Sequence, residues 1–152
     1  MSRRDQIKLS EAEIVAFLQQ QRVLTCASNG PRGWPHVMPL WYVLREHDVW
    51  AWTYAKSQKV RNLERDPRAT LQVEDGDEYQ QLRGVMIEAR TEIHREPEFV
   101  AGVGAELLER YGQGAGPEVM DAIRAQAAKR VALHFIPQRT ASWDHRKLAG
   151  AY

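Results

Sequence analysis

The stretch from Thr53 to Asp75, TYAKSQKVRNLERDPRATLQVED, holds the densest group of side chains suited to binding an anion. Ser57 is a good helix N-cap, and the backbone amides after it are donors that the first helical turn leaves without partners. Lys56, Lys59 and Arg61 stand at this positive end of the helix dipole, where acidic residues are usually preferred. A bound phosphate would supply the missing negative charge. The pattern predicts a local anion site; the alternative, which the spacing by itself favours, is an ordinary solvated helix start.

The composition limits the other kinds of ligand. The 152 residues carry a formal net charge of +1, which argues against a nucleic-acid or membrane-surface partner. Cys26 is the single cysteine, so no intrachain disulfide can form, and we expect a cytoplasmic protein. We expect no signal peptide after Met1, and no apolar run approaches the length of a membrane helix.

Other motifs of enzyme chemistry are missing from the sequence. The segment Gly102-Val103-Gly104 lies inside a helical pattern, so it does not form a dinucleotide-binding fingerprint. The histidines at positions 36, 47, 94, 134 and 145 show no metal-ligand spacing, and we predict no metal site. Cys26 has apolar neighbours, which favours a small core residue over a nucleophile. If the protein is an enzyme, its chemistry is expected to come from a cofactor.

Strands and short helices are expected to position these residues. Ser10 to Glu13 form a capping box, which predicts a helix over 11–20. Strands are predicted over 23–27, 35–44, 49–54, 68–74, 82–93 and 131–136, with a last extended piece over 139–143; helices over 56–65, 97–111 and 117–129; and a loop over 112–116. This spacing predicts a mainly β (α+β) fold, a small antiparallel barrel in one domain over 1–152. Pro35 and Pro39 predict ladder gaps or an edge position for the second strand.

Seven short motifs follow one another in a specific order. They are Asn29-Gly30, Pro35-His36-Val37, Pro39-Leu40-Trp41-Tyr42, Trp52-Thr53, Ser57-Gln58-Lys59, Asn62-Leu63 and Asp66-Pro67-Arg68. Their order resembles the pyridoxamine 5'-phosphate oxidase-like FMN-binding split-barrel superfamily, and within it the flavin/deazaflavin oxidoreductases of the B group. The segments 79–85 and 139–148 look like those of a deazaflavin-dependent subgroup. The resemblance covers about residues 10–148. It implies a six-stranded antiparallel split β-barrel with short flanking helices, which forms a homodimer and binds its cofactor at the subunit interface.

The resemblance also implies roles for individual residues. The cofactor-binding positions that it implies are His36, Val37, Met38, Pro39, Leu40 and Trp41 along the ring; Trp52 and Thr53 at ring and phosphate; Lys56, Ser57, Gln58 and Lys59 at the phosphate; Gln81 near the ring; and Trp143 and Arg146 in the segment that closes the site, from the partner subunit. His36 and His145 are the candidates for a proton donor. For either histidine alone, a structural role is the alternative.

The chain departs from the oxidases at three of these positions. The oxidases begin their phosphate strand with Arg and end it with Lys, where this chain has His36 and Trp41, and Gln58 replaces the Arg of their Ser-Arg-Lys grip. Each charge-assisted hydrogen bond contributes about 1.5–3 kcal/mol, so the missing cations weaken the grip on FMN. The expected function is therefore an oxidoreductase dependent on the deazaflavin coenzyme F(420), which transfers a hydride to or from a small unsaturated or aromatic substrate. The alternatives are an FMN-binding enzyme of the oxidase type and a non-catalytic flavin- or haem-binding protein.

Overall fold

The computed structural model describes residues 1–112 and 116–150. Its strands are β1 (Leu24–Asn29), β2 (Pro35–Leu40), β3 (Val43–Arg45), β4 (Asp48–Tyr54), β5 (Arg68–Asp75), β6 (Arg83–His94) and β7 (Arg130–Asp144). Its helices are α1 (Arg3–Ile7), α2 (Glu11–Gln20), α3 (Gln58–Arg65), α4 (Pro97–Arg110) and α5 (Pro117–Ala127), with 3-10 turns at Tyr79–Gln81 and His145–Leu148. The prediction of a mainly β (α+β) fold is confirmed. The loop predicted over 112–116 lies in part outside the described residues.

The strands form one antiparallel sheet in the order β2-β1-β5-β6-β7-β4-β3. The two edge strands, β2 and β3, are joined only by Trp41 and Tyr42. Consecutive Cα atoms are about 3.8 Å apart, so Leu40 and Val43 cannot be separated by more than about 11 Å. The two edges of the sheet must therefore approach each other, and the sheet curls into a barrel. The prediction that the second strand lies at an edge is confirmed.

The predicted number of six strands is wrong, because the described chain contains seven. The stretch 35–44, predicted as one strand, forms both β2 and β3. The cause is Tyr42, which is fully buried and leaves the ladder. Its hydroxyl donates to the carbonyl oxygen of Leu18 at 2.5 Å, and its backbone amide donates to the hydroxyl of Tyr111 at 3.2 Å.

A second difference concerns the end of the chain. The pieces predicted over 131–136 and 139–143 belong to the single strand β7, which pairs with β6 along the whole length of β6. A register shift between Glu88 and Ala89 lets the ladder continue past Pro137, which has no amide hydrogen.

Apolar side chains pack on both faces of the curled sheet. The barrel interior is filled by one cluster of buried residues that includes Val49 and Ala51 of β4. Trp50 and Trp52 point the other way and pack beneath α4 and α5 in a second cluster. Because side chains alternate along a strand, Thr53 shares the interior face with Val49 and Ala51. Among the described residues, no helix has both the length and the apolar character needed to cross a membrane.

Arg110 fastens α4 to the rest of the barrel. Its guanidinium group donates to the carbonyl oxygens of Leu18 at 2.9 Å and Gln21 at 2.7 Å, at the end of α2. It also donates to the carbonyl oxygen of Tyr42 in the crossover between the edge strands. A single cation therefore satisfies carbonyl groups that the end of a helix and an irregular crossover leave unpaired.

Candidate functional site

The predicted anion site lies at the beginning of α3, where Ser57 is the N-cap and accepts a hydrogen bond from the amide of Val60 at 3.4 Å. Lys59 follows in the first turn and points inward, with only 6% of its surface exposed. Its Nζ atom lies 3.4 Å from the hydroxyl of Thr53. No carboxylate of the described chain lies within 4.0 Å of this ammonium group. Lys59 is thus a buried cation to which the described protein supplies no counter-ion.

The pKa shifts of Lys59 and Cys26 agree with a buried ammonium group that has no counter-ion in the described chain. Burial lowers the pKa of Lys59, and the neighbouring Cys26 thiol acts in the opposite direction. Burial also raises the pKa of Cys26 to about 11, so this thiol is neutral at physiological pH and does not balance the charge. Cys26 is a fully buried residue of the core, as the sequence predicts. An anionic ligand is the group that would offset the cost of burying the ammonium.

The neutral polar side chains of Ser28, Gln58 and Asn62, which we call the polar frame, hold α3 against the end of β1. Asn62 is fully buried and donates to the hydroxyl of Ser28 at 3.1 Å. Its side-chain oxygen accepts a hydrogen bond from Gln58 at 2.7 Å. His36 of β2 lies directly opposite Ser28, and its Nδ1 atom is buried with no hydrogen-bond partner in the described chain. The helix, the end of β1 and the start of β2 are therefore fixed around Ser28.

An open cleft of about 500 Å³ starts from this frame and crosses β1, β5 and β6. It is lined by Ala27, Ser28, Asn29, Pro35, Arg68, Ala69, Thr70, Glu88, Ala89, Arg90 and Gln138. Its volume lies in the range of small-molecule and cofactor sites. The side chain of Ser28 lies on the inner face of β1 with Cys26, whereas Ala27, Thr70 and Glu88 line the cleft from the outer face.

The residues predicted to line the ring lie along β2 and just after it. This edge strand is exposed on both faces, with Val37 54% exposed and Met38 45% exposed. Trp41, 41% exposed, stacks on Tyr111 with ring centroids 4.1 Å apart and an angle of 3° between the rings. An exposed apolar edge strand is typical of a surface that another molecule covers.

The remaining residues of the predicted phosphate site do not all face Lys59. Thr53 does, but the Trp52 ring lies on the other face of β4, where the guanidinium of Arg130 is 4.8 Å from its centroid. Lys56 and Arg61 are exposed beside the start of α3. The structure therefore brings Thr53, Ser57, Gln58 and Lys59 together at the start of α3, and it leaves the two cations on the exposed surface around this helix.

Gln81, Trp143, His145 and Arg146 form a separate group at the far end of the sheet. Gln81 and Arg146 share a cleft of about 390 Å³ with Asp75. Ser28 lies level with Ala69 on β5, six residues from Asp75, a distance of about 20 Å along a strand. Within one chain, this group does not reach Lys59.

Local contacts fix the geometry of this second group. Arg146 donates to both carboxylate oxygens of Asp144, at 2.9 and 2.7 Å, and these bonds lower the pKa of Asp144 against the opposing effect of burial. Trp143 packs on Gly84, where a Cβ atom would lie 2.4 Å from its ring. Tyr79 contacts His145 edge to face, with centroids 4.8 Å apart.

From the sequence, Ser28 was not identified as part of the site, and Asn62 was named only within the Asn62-Leu63 motif. Asn62 is polar at a position between the buried Val60 and Leu63, and this is the signal that marks it. Its hydrogen bond to Ser28 depends on how α3 docks on β1, which the sequence alone does not show.

Comparisons with known proteins agree with this architecture. The sequence model of the pyridoxamine 5'-phosphate oxidase family matches residues 10–144. The crystal structure of the conserved hypothetical protein Rv2991 from Mycobacterium tuberculosis is similar over 98% of this chain and 93% of its own, with 43% identity and a TM-score of 0.91. No curated protein sequence matches the chain.

Two more distant structures share the fold. An F(420) reductase is similar over 88% of this chain and 98% of its own, with 21% identity and a TM-score of 0.68. HutZ, the heme storage protein from Vibrio cholerae, is similar over 88% of this chain and 93% of its own, with 20% identity and a TM-score of 0.68. At these identities the likeness concerns the fold alone.

Proposed function

Because the chain belongs to the pyridoxamine 5'-phosphate oxidase family, we propose that it is an oxidoreductase that binds the deazaflavin coenzyme F(420) and transfers a hydride to or from a small unsaturated or aromatic substrate. The observation that carries the proposal is Lys59, a buried cation without a carboxylate partner in the described chain. An open cleft of about 500 Å³ lies on the other face of β1 and also reaches Ser28.

The chain's own residues would bind and orient the cofactor. Lys59, the Thr53 hydroxyl and the first-turn amides of α3 would hold the phosphate. Met38, Pro39 and Leu40 would border the ring and exclude water from it. The cofactor, when bound, supplies the hydride chemistry at its ring. His36, whose Nδ1 atom has no hydrogen-bond partner in the described chain, is the candidate for holding a proton near that ring.

The charges around Lys59 support F(420) over FMN. Gln58 stands where the oxidases have an arginine, and it donates to Asn62 instead of adding a positive charge. A single buried cation would bind the compact phosphate of FMN only weakly. Lys56 and Arg61 are exposed beside the start of α3, where a cofactor with a longer anionic tail would reach them.

We further propose that the protein is a homodimer with the cofactor between subunits. The exposed apolar strand β2 supports this, because burying Val37 and Met38 in a second copy would remove them from water. The separation of about 20 Å between the level of Ser28 and the group of Arg146 also supports it, because a second copy would bring its own Trp143 and Arg146 to the cofactor. The reaction would take place in the cytoplasm, where the unpaired Cys26 stays reduced.

The proposal is tested by restoring the charge that Gln58 lacks. Gln58→Arg should strengthen FMN binding by about 10-fold or more, which corresponds to one charge-assisted hydrogen bond, and change F(420) binding little. The unaltered protein should oxidise reduced F(420) in the presence of an unsaturated carbonyl compound or a quinone, followed by the absorbance of the cofactor. Oxygen-dependent turnover with FMN and none with F(420) would contradict the proposal and favour the oxidase alternative.

A further inference from the structure

A second group of ligand-type side chains lies on the outer face of the sheet. Glu92 and His94 are two residues apart on β6 and point to the same face, and His134 of β7 lies directly opposite Glu92. One ligand atom from each of the three lies within 4.8 Å of the others. The Oε1 atom of Glu92 is 3.2 Å from Nδ1 of His134 and 3.8 Å from Nε2 of His94. Trp50, which stacks on His134, points away from the Thr53 face of β4, so this group is separate from Lys59.

A neutral His134 leaves electron pairs facing one another in this group. Nε2 of His134 lies 2.8 Å from a carboxylate oxygen of Asp48, which only accepts, so Nε2 carries the proton. In a neutral imidazole, Nδ1 of His134 then presents a lone pair to the carboxylate of Glu92. Nε2 of His94 is buried, has no hydrogen-bond partner in the described chain, and approaches the same oxygen. A cation among the three atoms would turn this repulsion into attraction.

We propose that Glu92, His94 and His134 bind a divalent transition metal ion of the zinc type. Tetrahedral bonds of about 2.0–2.2 Å place neighbouring ligand atoms about 3.3–3.6 Å apart, so the two distances from Glu92, 3.2 and 3.8 Å, require shifts of tenths of an ångström. The two histidine nitrogens, which lie within 4.8 Å of each other, must approach by up to about 1.3 Å, within reach of side-chain rotation. Asp48 is the positioning residue, because its bond to Nε2 fixes the tautomer that leaves Nδ1 of His134 free for the metal.

The surroundings hold these ligands rigidly and leave the ion accessible. The ring of Trp50 stacks on His134 at 4.1 Å and 7°, and Phe99 stacks on His94 at 5.0 Å and 30°. Arg45 lies over Trp50 and Phe99, but Glu106 pairs with this guanidinium and offsets its charge. Three protein ligands leave the fourth position of a tetrahedral ion open, as in catalytic zinc sites. The linear spacing of the histidines gave no sign of this site because the strand register brings His134 to Glu92.

Equilibrium dialysis of the full chain, free of any histidine tag, against Zn²⁺ tests the proposal. We expect one ion per chain, with Glu92→Gln and His94→Asn each weakening the affinity by at least about 10-fold. Glu88→Gln, on the same strand, and His47→Asn, an exposed histidine, are the matched controls and should bind normally. Thermal unfolding without metal confirms that each variant is folded.

Asp48→Asn tests the positioning role. It should weaken binding by about 10- to 100-fold and alter the visible absorption of the Co²⁺-loaded protein, because the amide no longer fixes the tautomer of His134. No stoichiometric Zn²⁺ binding, or equal binding by the folded Glu92 and His94 variants, would overturn the proposal.

Discussion

Replacing Lys59 by Met should move binding and stability in opposite directions. Met keeps most of the volume of the lysine stem and removes the charge. Without ligand, Lys59 is 6% exposed, and its ammonium group has only the Thr53 hydroxyl, at 3.4 Å, as a hydrogen-bond partner in the described residues. Its burial is therefore a cost to folding that a bound anion would offset.

The expected magnitudes follow from this geometry. Exchanging buried charges for apolar side chains of similar volume raises stability by about 1–4 kcal/mol, and for a chain of this size each 1 kcal/mol raises the Tm by about 2–4 °C. The lost charge-assisted hydrogen bond weakens binding of the cofactor by about 1.5–3 kcal/mol, or about 10- to 150-fold. Urea denaturation of the apoprotein measures the first quantity, and titration with F(420) measures the second.

The pH dependence gives an independent check. Burial lowers the pKa of Lys59, so near the top of the pH range the unfolded chain binds more protons than the folded one. The stability of the unaltered protein should therefore rise relative to Lys59→Met as the pH climbs through the folded pKa, and the difference should vanish above about 10.4, the ordinary lysine value.

Lys129→Met, at an exposed lysine after α5, is the control and should change neither quantity. Two results would contradict the role of Lys59 as a buried cation whose charge is balanced by a bound anion. One is a Lys59→Met protein that is less stable than the unaltered protein, and the other is a variant that binds the cofactor equally well.

Three further predictions concern the residues that hold the site and the barrel together. Asn62→Ala should lower the free energy of unfolding by about 1–3 kcal/mol, because it leaves buried polar partners unsatisfied; urea denaturation measures this, and an unchanged value would contradict the role of the frame. Arg110→Met should cost at least about 2 kcal/mol, seen as a lower Tm, because carbonyls of α2 and of the crossover lose their donor, and an unchanged Tm would argue against this capping role. Asp144→Asn should destabilise the protein at neutral pH. Arg146 lowers the pKa of Asp144, so the stabilisation by the Asp144 carboxylate is present above about pH 3.9 and is lost as the pH falls through the lowered pKa. Urea denaturation should therefore show that the free energies of unfolding of Asp144→Asn and the unaltered protein differ less in acid than at neutral pH. An equal difference at the two pH values would contradict the stabilising role of the Asp144 carboxylate.

Elements with strong local signals could be predicted from the sequence. The capping box of α2 forms as expected, with Ser10 accepting from the amide of Glu13 and the Glu13 side chain accepting from the amide of Ser10. The short helix α1 has the same kind of box between Ser2 and Asp5, but no apolar run follows it, so the pattern gave no prediction there. Its contacts with the 3-10 turn at His145–Leu148 depend on tertiary structure.

The division of 35–44 into two strands was not predictable in the same way. Trp41 and Tyr42 favour strands as strongly as their neighbours do. What ends β2 is the burial of Tyr42 against Leu18 and Tyr111, residues far away in the sequence. Local propensity therefore identified the strand type but not the crossover that closes the barrel.

The candidate site shows the same limit. The Ser57-Gln58-Lys59 segment is contiguous, so its place at the start of a helix could be predicted. The burial of Lys59 and the hydrogen bond from Asn62 to Ser28 arise from the docking of α3 on β1, a tertiary contact. The metal-ligand geometry of Glu92 and His134 depends on the register of β6 and β7.

Binding of the phosphate of a deazaflavin cofactor by Lys59 can be measured with the purified apoprotein. Titration with F(420) and, in parallel, with FMN is followed by quenching of tryptophan fluorescence. The exposed Trp41, next to β2, is among the expected reporters. We predict that F(420) binds more tightly than FMN, and that Lys59→Met abolishes most of this affinity. Micromolar binding of FMN together with no binding of F(420) would contradict the account.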